Sequence, residues 1–293
     1  MLDFPNDQVQ INPQTKELYY FQGNILNKGK AGINNPIYTF SKDLPGRLIF
    51  FTRIGNILCS LENSGEVYLS QNNGQSFTPV LTLSKPTSWA MNWGVEQIGN
   101  IILLGEYHLD NDSRANIYIS KNEGQSFKHL LSIPKERHIH FIKKDPYSEY
   151  IYLTIGDDTK DVYRMSIQTL KPELLFKNSH LMSVGFHPDY VAFGSDKEYQ
   201  NFINLLYRDG KTTTFDLTPP RDNMVYDFAN LNGKMLSTNR LVANSKALEN
   251  NYHCLWVVEA SAAITNLESF YLSNVIDNTC YTGRTELTVK IRG

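Results

Sequence analysis

The sequence holds few cysteines, no block of like charge and no long apolar run, and each shortage removes a class of protein. Apolar runs such as Leu48-Ile49-Phe50-Phe51 and Ile101-Ile102-Leu103-Leu104 are strand-sized, far short of the roughly 18 residues of a membrane-spanning helix. No membrane partner is expected. Twenty-eight Lys+Arg stand against 30 Asp+Glu, a formal net charge of −2 in 293 residues, and the signs are interspersed. That balance gives no basic footprint for a nucleic acid. The cysteines Cys59, Cys254 and Cys280 lack metal-ligand spacing, and an odd number argues against a disulfide framework. They read as buried small hydrophobes of a reducing compartment. The N-terminus Met1-Leu2-Asp3-Phe4-Pro5 lacks a basic region followed by an apolar one. A cytoplasmic location is the expectation, and a periplasmic or secreted one applies if a leader has been trimmed. Phosphate-loop, dinucleotide, G-x-S-x-G and helical His-x-x-x-His motifs are also absent. No stretch has a convincing amphipathic helical period.

What is present is repetition. Tyr68-Leu69-Ser70-Gln71-Asn72-Asn73-Gly74-Gln75-Ser76-Phe77 returns fifty residues later as Tyr118-Ile119-Ser120-Lys121-Asn122-Glu123-Gly124-Gln125-Ser126-Phe127. Alternating apolar residues lead into Asn-x-Gly and β-formers follow, the pattern of a β-hairpin. Gly74 and Gly124 can take the positive φ of a tight turn, Ser70/Ser120 and Asn72/Asn122 can bond turn amides, and Phe77 and Phe127 are expected to be buried as pins.

This pattern resembles the Asp box, Ser-x-Asp-x-Gly-x-x-Trp, of sialidases and other BNR-repeat β-propellers, with Asn for Asp and Phe for Trp in both copies. The resemblance implies an all-β fold, a single β-propeller domain over residues 1–293. Strand quartets at intervals of about 40–50 residues give blades at Arg47–Leu83, Asn92–Ile133, His138–Lys177, Leu181–Leu217 and Val225–Phe270. Leu18–Gln22 and Ile37–Ser41 remain at one end, Phe270–Ser273 and Glu286–Ile291 at the other. Joined, they make a sixth blade closed by both termini, with seven blades as the fallback.

In such a fold the start of each first strand and the end of each second strand share a face, the mouth of the central channel. The second strands end in Gly105-Glu106-Tyr107-His108, Gly156-Asp157-Asp158, Ser195-Asp196 and Asn239-Arg240. The first strands begin with Asn92 and Trp93, Arg137-His138-Ile139-His140, His180 and Tyr226, and Tyr281 and Arg284 follow near the C-terminus. Strand periodicity puts His138 and His140 on one face. Packing, acid/base or sugar contact, and metal binding all remain open for that pair.

Gly105-Glu106-Tyr107, Arg137-His138-Ile139-His140, Asp145-Pro146-Tyr147, Ile155-Gly156-Asp157 and Phe193-Gly194-Ser195-Asp196 are similar to a group of bacterial BNR-repeat, glycosidase-like proteins. The wider class includes sialidases and propeller-fold polysaccharide lyases, which act on acidic glycans. The sialidase Phe-Arg-Ile-Pro motif is only echoed by Thr52-Arg53-Ile54-Gly55. The resemblance therefore implies a carbohydrate-active enzyme on an acidic oligo- or polysaccharide, lyase-type ahead of hydrolase-type. For a lyase, His138 or His140 is the expected base, Tyr107 the acid, and Arg137 or Arg240 the carboxylate clamp. For a hydrolase, Glu106 with Asp157 or Asp196 supplies paired carboxylates. Trp93 and Tyr226 are candidate sugar platforms, and His108, His180, Asp196 and Arg240 further substrate contacts. No metal site is assigned, and a divalent metal is the one cofactor left open. A non-catalytic glycan-binding or protein-interaction propeller is the rival of a different class.

Overall fold

The computed structural model of the chain describes residues 10–29, 35–110, 114–157, 159–197, 201–216, 223–231, 234–241, 252–258 and 264–271. Among them there is no helix, hence none long and apolar enough to cross a membrane. The described residues form six four-stranded antiparallel sheets, each a meander of consecutive strands. The first sheet holds β1 (Gln10–Ile11), β2 (Leu18–Gln22), β3 (Ile25–Gly29) and β4 (Pro36–Thr39), and the second β5 (Gly46–Phe51), β6 (Ile57–Leu61), β7 (Glu66–Ser70) and β8 (Thr78–Thr82). The third holds β9 (Trp89–Ile98), β10 (Ile101–Tyr107), β11 (Arg114–Ser120) and β12 (Lys128–Pro134), and the fourth β13 (His138–Lys144), β14 (Tyr150–Gly156), β15 (Val162–Ser166) and β16 (Pro172–Phe176). The fifth holds β17 (Leu181–Phe186), β18 (Tyr190–Ser195), β19 (Phe202–Tyr207) and β20 (Thr212–Asp216), and the sixth β21 (Asn223–Leu231), β22 (Lys234–Leu241), β23 (Tyr252–Val258) and β24 (Ile264–Tyr271). Serial four-stranded meanders are the building units of a propeller. They fall into two compact units, the first four sheets in one and the last two, with the Asp145–Glu149 turn, in the other.

Burial explains the apolar patterning. Every residue of β6 and β18 is buried, as is nearly every residue of β10 and β14. Such strands read as continuous apolar runs because both faces are covered. The fourth strands β8, β12, β16 and β20 are largely exposed or half-exposed, and their sequences are accordingly mixed.

The N-terminal segment supplies four strands where two were expected. Gly23-Asn24 links β2 to β3, with Gly23 at φ 58°, a two-residue hairpin signal in its own right. Buried Asn12 turns the chain between β1 and β2, its Oδ1 accepting from the Gln14 and Thr15 amides at 2.9 and 3.3 Å. Glu286–Ile291, with its expected pairing to the N-terminal strands, lies outside the described residues.

The two repeated sentences fold as the same turn. The Ser70 hydroxyl donates to Asn72 Oδ1 (3.0 Å) and accepts from the Gly74 amide (2.9 Å), while Asn72 Oδ1 accepts from the Ser76 amide (3.0 Å). In the second copy Ser120, Asn122, Gly124 and Ser126 make the same bonds at 2.9, 2.9 and 3.1 Å. Gly74 and Gly124 take φ 85° and 84°. Phe77 and Phe127 are half-buried rather than buried. Each packs on the preceding sheet: Phe77 lies 4.9 Å from Tyr38 and 5.1 Å from Phe40, and Phe127 joins the cluster around Leu58.

One regularity escaped the sequence. The first strands β5, β13, β17 and β21 each carry one residue more than their second-strand partners, at Ile49, His140, Met182 and Tyr226. In β9 the irregularity spans Met91–Gly94 and so contains Trp93. A bulge bends a strand and re-aims its side chains.

Candidate functional site

The start of β13 pairs with the end of β14, His138 opposite Gly156. His138 is fully buried and His140 nearly so. The His138 Nδ1–H donates to the His108 carbonyl at 2.7 Å, which fixes the tautomer and leaves Nε2 with a lone pair. The Nε2 atoms of His138 and His140 lie 3.0 Å apart. Gly156 permits this convergence, since a Cβ there would come within 2.6 Å of His138 Nε2 and closer still to His140 Nε2. Burial pushes both imidazoles well below the usual histidine range, and for His138 the neighbouring His140 adds to that. Both rings are neutral near pH 7.

Asp157 follows at φ 74°, a left-handed conformation that non-glycine residues seldom adopt and that recurs at functional sites. Its Oδ2 lies 3.7 Å from His138 Nε2 and its Oδ1 3.8 Å from His140 Nε2. Arg137 Nη2 pairs with Asp157 Oδ2 at 2.8 Å, and Arg137 Nη1 donates to the Leu109 carbonyl at 3.3 Å. Tyr107, at the end of β10, stacks on His138 with ring centroids 4.0 Å apart and planes 25° from parallel. The loops are anchored from beneath: the Thr159 hydroxyl donates to buried Glu136, and Asp161 Oδ1 accepts from the Asn178 amide at 2.7 Å.

Of the six expected catalytic residues, five, His138, His140, Tyr107, Arg137 and Asp157, come together. Glu106 does not join them. Neighbouring Tyr107 faces His138, while Glu106 points to the opposite side of β10 and is fully buried. Its carboxylate accepts from the Ser84 amide (3.1 Å) and hydroxyl (2.7 Å), Asn116 Nδ2 (3.0 Å) and the Tyr118 hydroxyl (2.8 Å). Burial alone would raise this carboxyl, and the bonds from Ser84, Tyr118 and Asn116 outweigh it and hold it below the usual range. Its geometry is that of an ionised anchor between β10, β11 and the Ser84 loop. Trp93 is buried, stacked 6.4 Å from Phe141, so it packs where an open sugar platform was expected. His108 contributes its carbonyl, and its ring is buried. His180 and Asp196 belong to the second unit, where the His180 carbonyl accepts from the Asp196 amide at 2.6 Å. The side chains of Tyr226 and Arg240, and all of Tyr281 and Arg284, lie outside the description.

Lys160, φ 50°, was missed: its charge acts on His140 from the same loop as Asp157. The cue was the polar word Gly156-Asp157-Asp158-Thr159-Lys160, whose length exceeds what a two-residue hairpin needs.

No protein-family model matches the chain, and no curated protein does. Solved structures do. A streptogramin B lyase structure superposes with a TM-score of 0.65 at 13% identity, covering 97% of this chain and 87% of that one. Virginiamycin B lyase from Staphylococcus aureus, a catalytically inactive form with Quinupristin, gives 0.63 at 12% identity over 93% and 86%. A chain in a structure of the Mitotic Checkpoint Complex gives 0.62 at 11% identity over 92% and 82%. At these identities the likeness concerns the fold, and with the serial meanders it makes the chain an all-β protein of β-propeller type.

Proposed function

We propose that the chain is a carbohydrate-active enzyme of the lyase type, cleaving an acidic glycan where β10 and β14 end and β13 begins. The observation that carries the reading is the stacking of half-buried Tyr107 on His138 beside the Arg137 guanidinium, with the charge of Lys160 acting on neighbouring His140. Elimination next to a carboxylate needs a cation to hold the carboxylate, a base for the proton on the adjacent carbon, and an acid for the leaving oxygen. Arg137 is cast as the clamp, assisted by Lys160. Tyr107 serves both proton steps in turn. In its deprotonated form, its oxygen takes the α-proton, the C–H pair becomes the new C=C bond as the glycosidic C–O bond breaks, and the phenol so formed returns the proton to the departing oxygen. The His138 Nε2 lone pair, with its Nδ1 proton committed to a backbone carbonyl, is suited to hold an electrophile near the developing negative charge.

The words from Gly105 to Asp196 that resemble BNR-repeat, glycosidase-like proteins support a glycan, and two of the structures that share the fold are lyases by name. The hydrolase reading loses one of its two carboxylates to the Glu106 anchor, and Asp157 is engaged by Arg137. Incubation with a panel of acidic polysaccharides tests the proposal. Unsaturated uronate absorbance is expected, falling about 10²–10⁴-fold in Tyr107→Phe at an unchanged melting temperature. Reducing ends without absorbance would establish a hydrolase instead, and tight binding with neither would establish a binding propeller.

A further inference from the structure

We propose that His138, His140 and Asp157 form a binding site for a divalent transition-metal ion. Their ligand atoms all lie within 4.8 Å of one another. Two nitrogens 3.0 Å apart, each about 2.0–2.1 Å from one ion, subtend about 95° at it, within the range of adjacent ligands in ordinary coordination. The bond from His138 Nδ1 to the His108 carbonyl is the outer-sphere partner that orients a metal-binding imidazole and turns the other nitrogen inward. Arg137 plays the matching part for the carboxylate. It takes Asp157 Oδ2 at 2.8 Å and leaves Oδ1, the oxygen nearer His140, for the ion.

Two backbone features serve the same end. Gly156 keeps the space before both Nε2 atoms clear of a side chain. Asp157 takes its left-handed φ of 74° and sets its carboxylate oxygens 3.7 and 3.8 Å from the two Nε2 atoms.

Two imidazoles and one carboxylate form a borderline donor set, suited to Zn²⁺, Mn²⁺ or Fe²⁺, whereas Ca²⁺ and Mg²⁺ take oxygen-rich cages. Three protein ligands also leave positions open for a further ligand, the pattern of catalytic and not of closed structural sites. An ion there would be the electrophile of the proposed elimination. Only that role rests on the functional reading, since binding itself requires no substrate.

The test is calorimetric titration of the chelator-treated full chain with Zn²⁺ alone, then Mn²⁺ and Mg²⁺. One equivalent of Zn²⁺ or Mn²⁺ is expected to bind, with Mg²⁺ far weaker. His140→Ala and Asp157→Asn should each weaken binding by about 10–100-fold or more, while His129→Ala, at an exposed histidine outside the cluster, binds as the wild type does. Asp157 lies at the surface, so Asp157→Asn keeps the test decisive if His140→Ala does not fold. Absence of one-equivalent binding, or equal binding by Asp157→Asn, would overturn the site. Zn²⁺ binding without glycan cleavage supports the site and removes the lyase reading. Cleavage that persists in chelator, with no ion bound, does the reverse.

Discussion

Glu106 accepts four hydrogen bonds in a fully buried setting, and its pH behaviour follows from them. A carboxyl lowered on folding contributes stability that is complete above its unfolded value, about 4.3, and is lost as pH falls through the folded value. Glu106→Gln replaces an acceptor oxygen by a donor facing donors, at a cost of about 1–3 kcal/mol near pH 7. Because the variant carries no such proton linkage, the gap between it and the wild type should narrow as pH drops below about 4.3. Urea denaturation at pH 7 and at pH 3.5 measures both gaps, and equal gaps would mean that the carboxylate form of Glu106 is not what the fold uses. The sequence placed Glu106 and Asp157 in the same class because both sit at second-strand ends. Their difference depends on which face of the strand each takes and on Ser84, 22 residues away, which no local pattern exposes. His138 and His140 were legible as a pair because their separation is local. The bulge at His140 was not, since it depends on what pairs with β13.

The repeated turn is the element that the sequence announced most completely, because every bond in it is made within seven residues. Ser70 and Ser120 are both buried, and each hydroxyl accepts a glycine amide at 2.9 Å. Ser70→Ala and Ser120→Ala should therefore each cost about 1–3 kcal/mol, equal to within about 0.5 kcal/mol, with the metal and glycan assays unaffected in whatever remains folded. Thermal or urea unfolding of the two variants provides the check. A large inequality would show that the turn is held by its packing on the preceding sheet more than by its own hydrogen bonds. That packing differs between the copies, with Gly74 against Ile37 and Leu26 and Gly124 against Leu58 and Ile102. Phe77 and Phe127 show the limit of the local reading. Their apolar character required an apolar neighbour, yet half-burial lowers the expected cost of Phe→Ala below the about 3–5 kcal/mol of a fully buried ring. The missed strand β3 has the opposite cause: its residues Ile25-Leu26-Asn27-Lys28-Gly29 lack alternation, and only the Gly23-Asn24 turn betrayed it.

For the whole chain, fold and function were legible to different depths. Identities of 11–13% with chains of the same fold show that the architecture is carried by strand spacing and burial pattern, which the sequence displays, and not by particular residues. The substrate is a matter of particular residues, and charge is the one global property that bears on it. With a formal net charge of −2, the protein exerts no long-range attraction on an acidic glycan, so under the proposed function recognition rests on local cations, Arg137 first. Raising ionic strength from 0.01 M to 0.15 M shortens the screening length from about 30 Å to about 8 Å. Electrostatic steering by a charged surface would then cost about 10–10³-fold in association. A clamp at contact distance is screened much less, so KM for an acidic oligosaccharide should rise less than about tenfold across that range. Arg137→Gln should raise KM by about 10–100-fold at both ionic strengths, because it removes the contact that salt does not reach. Initial rates at the two salt concentrations decide the matter: a steep salt dependence in the wild type, or one unchanged KM in Arg137→Gln, would move glycan recognition away from the start of β13.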